Sequence, residues 1–257
     1  MLPADLKRSV CPREDTAHDG RRLEAVLPEG GEHLIQGARL TGHQQAPAGL
    51  RVCQQCPVFG GEATGQRHVV TVAGPVAAGS ARHQAGLNKL TGEIIWQQDR
   101  PPVANYASPA VVNAAGKTQA VLAGCNKVES FDPLTGKKLW SIDGSTEETV
   151  VTAVTDGSRI FLGGGYPKNH TMAVEADGSG KIAWENVTRT YVPSMIVKNS
   201  HVFAVGDGGR ATCWKSATGE ELWSEKVDRE FYGSPVMADS RIYVTSKGGV
   251  TSVFEAT

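Results

Sequence analysis

The chain has 257 residues, a net charge of −1 and a pI near 6.7. That length allows one or two domains with a sizeable core, and the near-neutral charge gives no footing for nucleic acid or an anionic membrane as partner. Its 30 glycines and 13 prolines suit a turn-rich β protein, and no apolar run is long enough to span a membrane.

Residues 1–85 stand apart from the rest. Phe59 is their single aromatic residue, whereas the other fifteen lie in 86–257. Arg replaces Lys almost throughout this part, and five of the seven His fall in it. Such a composition buries little core, so the expectation is a poorly ordered or non-homologous segment. The excess of Arg, Ala, Gly, Pro, His and Gln also matches an out-of-frame reading of a GC-rich gene. The opening MLPADLKRSVCPRED has neither the apolar stretch of a signal peptide nor a lipidation site. Cys53-Gln-Gln-Cys56 lacks the second pair a zinc site needs and the following helix a redox pair needs, so it is read as functionless. His68–Ala73 is a weak β run.

From Gly86 the chain repeats. LNKLTGEIIW (87–96), FDPLTGKKLW (131–140), AVEADGSGKIAW (173–184) and WKSATGEELW (214–223) each set a Gly four places before a Trp. The pairs are Gly92 and Trp96, Gly136 and Trp140, Gly180 and Trp184, Gly219 and Trp223. The Trp spacings of 44, 44 and 39 residues mark a repeat architecture. The Gly closes a hairpin loop at positive φ. Short β-rich runs bounded by Gly, Asn, Asp or Ser fill the intervals: Arg159–Leu162, His201–Val205 and Arg241–Val244. A further piece opens the units, at Tyr106-Ala-Ser-Pro109, Tyr191-Val-Pro193 and Tyr232-Gly-Ser-Pro235, with Thr149–Val154 in its place in the third. Each unit therefore reads strand, strand, strand, Thr-Gly turn, strand, which is one four-stranded blade. Only the Thr-Gly-Trp part of the first unit is recognisable, with no strands of its own upstream. The fifth unit, from Tyr232, stops where a Thr-Gly turn is due. The expected fold is all-β: an incomplete propeller of about three full blades and two partial ones over 86–257, with open edges.

The motif resembles the pyrroloquinoline-quinone-like (PQQ-like) repeat, Ala-x-Asp-x-x-Thr-Gly-x-x-x-Trp, best at Ser130–Trp140, where Asp132, Thr135 and Gly136 are on pattern. Asn88 and Lys215 replace the Asp in two other copies. The resemblance implies a propeller of the quinoprotein or BamB-like type. It implies that Trp96, Trp140, Trp184 and Trp223 dock flat on the Gly of a neighbouring motif, here Gly92, Gly136, Gly180 and Gly219, with the indole N–H on a backbone carbonyl. Tyr106, Tyr191 and Tyr232 are expected to share a packing role, and Trp214 is an extra packing residue. Cys125 and Cys213 are read as small buried residues in strands.

Quinoprotein dehydrogenases of this resemblance need a quinone, a bound calcium and an Asp base. The acidic residues here are scattered over turns, and no loop offers a calcium ligand set. Asp207-Gly-Gly-Arg210 reads as a tight turn, and Gly163-Gly-Gly165 has no helix after it to cradle phosphate. No catalytic, cofactor or metal residues are assigned. Arg100, Arg189 and Arg229, each shortly before a blade, are candidates to ring one rim. The expected function is a non-catalytic scaffold that binds protein segments, similar to BamB-like assembly factors of the periplasm or cell envelope, with no cofactor. The alternatives are a fragment of a quinone- and calcium-dependent alcohol or sugar dehydrogenase, and a truncated or mis-framed reading frame without activity.

Overall fold

The computed structural model describes residues 7–9, 69–73, 82–88, 91–101 and 105–257. Two units divide the chain, Met1–Val10 with Val52–Thr257, and Cys11–Arg51; the described residues all belong to the first. The Cys53–Cys56 pair lies outside the described residues.

Every described element is a strand. A three-stranded sheet comprises β2 (Val69–Ala73), β3 (Arg82–Asn88) and β4 (Ile94–Arg100). Three four-stranded antiparallel sheets come next. The first has β5 (Ala110–Ala114), β6 (Lys117–Gly124), β7 (Lys127–Phe131) and β8 (Lys138–Asp143). The next has β9 (Val154–Thr155), β10 (Arg159–Gly164), β11 (His170–Glu175) and β12 (Ile182–Asn186). The third has β13 (Ile196–Lys198), β14 (His201–Val205), β15 (Arg210–Lys215) and β16 (Glu221–Lys226). A last sheet joins β17 (Val236–Ala238), β18 (Arg241–Thr245) and β19 (Thr251–Glu255) to β1 (Lys7–Ser9) in the order β1-β19-β18-β17. These are consecutive blades of an all-β propeller, and among the described residues the sheets do not close into a ring.

Two expectations need correction. The first Trp unit does have strands upstream: β2 and β3 pair with β4, and β3 runs through Gly86. Arg82-His-Gln has little intrinsic β preference, and cross-strand pairing overrides it. The segment Thr149–Ala153 is not a strand, since β9 is only Val154–Thr155. Its backbone bonds neighbouring loops instead, as in the Tyr106 N–H donated to the Thr149 carbonyl at 3.1 Å.

Local chemistry sets the turns. The strand hairpins at Cys125-Asn126, Asn199-Ser200 and Asp239-Ser240 hold both central residues at positive φ, the conformation whose twist matches the flanking strands. Cys125 thus sits in a turn rather than a strand, though still buried. In the Thr-Gly turn, Asp132 Oδ1 accepts from the N–H groups of Leu134 and Thr135, both at 2.9 Å, and Gly136 N–H donates to the Asp132 carbonyl at 2.8 Å. Asn88 and Lys215 keep the same main-chain closure, so the Asp side chain is an aid to the turn and not a requirement.

Burial follows the stacking of sheets. The central strands β6, β10 and β14 are buried without alternation, because both faces lie against neighbours. One apolar cluster joins Val121, Val128, Trp140 and Ile142 to Ile160, Leu162 and Met172 of the next sheet. Another joins Phe161, Ala173 and Trp184 to Val202 and Trp214, and a third joins Phe203 and Val227 to Ile242 and Phe254. The cores are therefore the spaces between blades.

Candidate interaction surface and the locks that support it

Each motif Trp stands opposite a small residue in its own sheet: Gly86, Ser130, Ala173 and Cys213 face Trp96, Trp140, Trp184 and Trp223. The register shifts directly after each small residue, so Ile95, Leu139, Ala183 and Leu222 drop out of the pairing. Such a bulge re-aims the neighbouring side chain, here an indole toward the next blade.

Trp96 Nε1 donates to the Pro133 carbonyl at 2.9 Å, and its ring lies so near Gly136 that a Cβ there would come within 2.5 Å. Trp184 Nε1 donates to the Ser216 carbonyl at 2.8 Å, with its ring on Gly219, where a Cβ would come within 2.6 Å. Trp140 differs. Its turn partner carries an extra residue, so Gly180 lies against Ile142 and it is Gly178 that approaches the Trp140 ring. Trp140 Nε1 donates to Gln119 Oε1 at 2.8 Å, while Gln119 Nε2 donates to the Ala176 carbonyl at 2.8 Å. Ala176 holds the place of Pro133 and Ser216, one residue past the turn-closing position. A buried glutamine thus relays the bond across the gap. It also accepts from Ser130 Oγ at 2.7 Å and donates to the Ala114 carbonyl at 3.0 Å. Trp223 is partly exposed and donates to the Thr257 carbonyl at 3.4 Å, and among the described residues nothing lies within 4 Å of a Cβ built on Gly92. Trp214 is fully buried, 6.2 Å from Trp184.

The opposite use of glycine occurs at the loops that join blades. Cβ atoms on Gly163, Gly164 and Gly165 would strike Thr190, Thr146 and Tyr191 within 2.1, 2.2 and 2.4 Å. Gly124 is pressed by Asn105, and Gly209 by the Asp228 carbonyl. The triple glycine is therefore a packing site where linkers cross strand ends, a role with no signature in the sequence beyond its small size.

Tyr106, Tyr166 and Tyr191 meet at this end. Tyr106 bonds the Thr149 carbonyl, Glu148 N–H donates to the Tyr166 carbonyl at 3.4 Å, and Tyr191 Oη donates to Glu148 Oε2 at 2.9 Å. Burial, then the Glu148 carboxylate, pushes the Tyr191 phenol up to about 12. Tyr106, Tyr166 and Tyr232 are 61, 51 and 55 % exposed, so the shared packing role expected for Tyr106 and Tyr232 does not hold. Cations lie over two tyrosine rings: Arg189 is 5.4 Å from the Tyr191 centroid and Lys247 5.1 Å from that of Tyr232. Each is paired with an acid, Arg189 with Asp207 at 2.7 Å and Lys247 with Glu230 at 3.2 Å. The signs swap between consecutive blades, because Asp207 and Lys247 occupy equivalent turns.

The three candidate arginines part company. Arg229 is exposed and Arg189 half-exposed. The Arg100 side chain is only 6 % exposed and is paired with Glu129 of the next sheet at 3.1 Å; Glu129 also takes Lys138 at 2.7 Å. Arg100 therefore holds two blades together and does not belong to an open rim. Asp207 forms a tight turn, accepting from Val192 N–H at 2.9 Å. Among the described residues no group of three or more His, Cys, Asp or Glu could hold a metal ion. The Cys213 thiol is pushed up to about 12 by burial.

Consecutive four-stranded sheets clamped by indoles define a PQQ-like β-propeller. The family profile described as outer membrane protein assembly factor BamB matches residues 37–203 and 167–257, and the chain belongs to that family. The europium-containing methanol dehydrogenase shares the fold at a TM-score of 0.59 and 11 % identity, over 75 % of this chain and 48 % of that one. The computationally designed Ika8 protein gives 0.53 and 16 %, over 68 % of this chain and 55 % of that one. BamB from Moraxella catarrhalis gives 0.42 and 14 %, over 75 % and 68 %. The chain thus spans about half the length of the first two. No sequence among the curated proteins matches it.

Proposed function

We propose that this chain is a propeller scaffold without catalysis of its own, which binds protein segments in the cell envelope. Membership of a family described by outer membrane protein assembly supports that setting. The observation that carries the reading is the end where Tyr106, Tyr166 and Tyr232 stand more than half exposed around the blade-joining loops. Large amphipathic rings with few rotatable bonds are what protein interfaces favour. Arg189 and Arg229 supply charge beside them. Trp96, Trp140, Trp184 and Trp223, with their glycines, serve as the framework that holds this end in shape, and residues 86–257 form the repeat domain.

Photo-crosslinking residues at positions 106 and 232, with controls at 134 and 222, test the proposal in envelope extracts. Crosslinks to defined proteins should concentrate at 106 and 232, and equal labelling at all four positions would remove the idea. Dye-linked alcohol oxidation after addition of quinone with calcium would replace it by the dehydrogenase reading.

A further inference from the structure

Cations in this chain are held in a repeated way. Among the described residues, Arg189 lies over Tyr191 and pairs with Asp207, Lys247 lies over Tyr232 and pairs with Glu230, and Lys138 lies over Phe131 and pairs with Glu129. Each cation is shared by an aromatic ring and a carboxylate. The negative face of the ring and the acid attract it together.

The link before the third blade brings an acid and rings together without such a cation. Tyr191 Oη donates to Glu148 Oε2 at 2.9 Å. Glu148 N–H donates to the Tyr166 carbonyl at 3.4 Å, and Tyr106 N–H to the carbonyl of Thr149, the next residue, at 3.1 Å. Tyr191 packs on Gly165, beside Tyr166. Burial, then Glu148, then Tyr106 raise the Tyr191 phenol, so the Tyr106 phenol is also near. Tyrosines from two links and from the β10–β11 loop thus converge on one half-buried carboxylate. Tyr106 and Tyr166 are more than half exposed. Among the described residues no Lys, Arg or His pairs with Glu148. Arg189 is engaged by Asp207, Glu147 adds a second negative charge, and Lys168 is exposed two residues beyond Tyr166.

We propose that Tyr106, Tyr166, Tyr191 and Glu148 form a cup that receives a basic side chain, arginine or lysine, from a bound protein segment. The carboxylate supplies the ion pair, and the exposed tyrosines supply flat, electron-rich faces on which a guanidinium stacks. The three acid–cation–ring groups elsewhere in the chain show the arrangement that the incoming side chain completes. This deepens the scaffold reading and rests on it, by naming the chemistry of the segment taken at the tyrosine end.

Nuclear magnetic resonance of the full chain carrying isotope-labelled tyrosine tests it, with ring signals assigned through Tyr→Phe variants. The probe is Nα-acetyl-arginine amide, and the control is Nα-acetyl-citrulline amide, which has nearly the same shape and no charge. The arginine amide should shift Tyr106 and Tyr166 saturably and bind roughly three- to tenfold more tightly than the control, the range of a ring contact plus a partly exposed ion pair. Glu148→Gln, which keeps an acceptor for Tyr191, should remove most of that preference. Equal binding of the two amides, an undiminished preference in a folded Glu148→Gln chain, or shifts no larger at Tyr106 and Tyr166 than at Tyr243 would overturn the proposal. So would tighter binding of choline chloride than of the arginine amide, which would give the cup to a small quaternary ammonium. Marked tightening in Lys168→Gln would make Lys168 the occupant, and sedimentation could assign the cup to a second copy; either would also overturn it. Crosslinking at positions 106 and 232 captures partners whatever their charge, so the scaffold reading survives or fails separately.

Discussion

Two interfaces built from the same motif hold their blades by different means. Between the third and fourth blades, Trp184 reaches Ser216 directly and its ring lies on Gly219. Between the second and third, one added residue in the turn moves Gly180 away, and Gln119 carries the bond from Trp140 to Ala176. The contact that survives a change of loop length is thus the buried carbonyl's need for a donor, not the particular glycine. A lost direct bond can be replaced by a longer side chain, at the cost of making one residue answerable for several partners.

The largest effect should follow from removing that relay. Gln119→Leu keeps the volume but strands Trp140 Nε1, Ser130 Oγ and the Ala176 carbonyl, and should destabilise by about 3–5 kcal/mol, measured by urea unfolding. Trp184→Phe, which strands only Ser216, should cost about 1–2 kcal/mol by the same measure; equal costs for the two variants would mean the interfaces are equivalent after all. Gly219→Ala should cost about 2–4 kcal/mol, because a Cβ at φ +72° is strained and also displaces the Trp184 ring. Gly180→Ala, at φ +73° with only Ile142 nearby at 3.3 Å, should cost about 1 kcal/mol.

The loop end offers a gentler test. Tyr191 has a higher pKa folded, about 12, than the ordinary value of 10.0. The protonated phenol is therefore favoured in the folded chain. Its contribution is complete below pH 10 and is lost as pH rises from 10 toward 12, since the unfolded chain releases its proton first. Ultraviolet titration should show one tyrosine ionising late, and Tyr191→Phe should abolish that late step. The smallest change is the slowest: Cys213, buried with its thiol pushed up to about 12, should resist thiol reagents until the chain unfolds.

Much of the fold was legible in the residues. Trp period, Gly position and Asp132-Pro-Leu-Thr-Gly136 specify blade and turn, because a turn closes within a few residues of itself. Of the upstream strands, β2 falls in the weak β run His68–Ala73, but β3 was not legible, because Arg82-His-Gln becomes a strand only when paired with β4. The surface was half legible. Tyr106, Tyr191 and Tyr232 could be found by recurrence, but their exposure could not, and Arg100 looked like its two counterparts until Glu129 stood opposite.

Sequence alone determined the repeating unit, its four strands and the indoles that join one unit to the next, since these depend on local φ preferences and on a spacing that can be counted along the chain. Tertiary structure decided which carbonyl each indole finds and why Gly163-Gly-Gly165 must be bare where Thr190 and Thr146 cross. Those outcomes depend on groups far apart in the chain meeting at close quarters. Steric fit and the pairing of buried polar groups are settled only there.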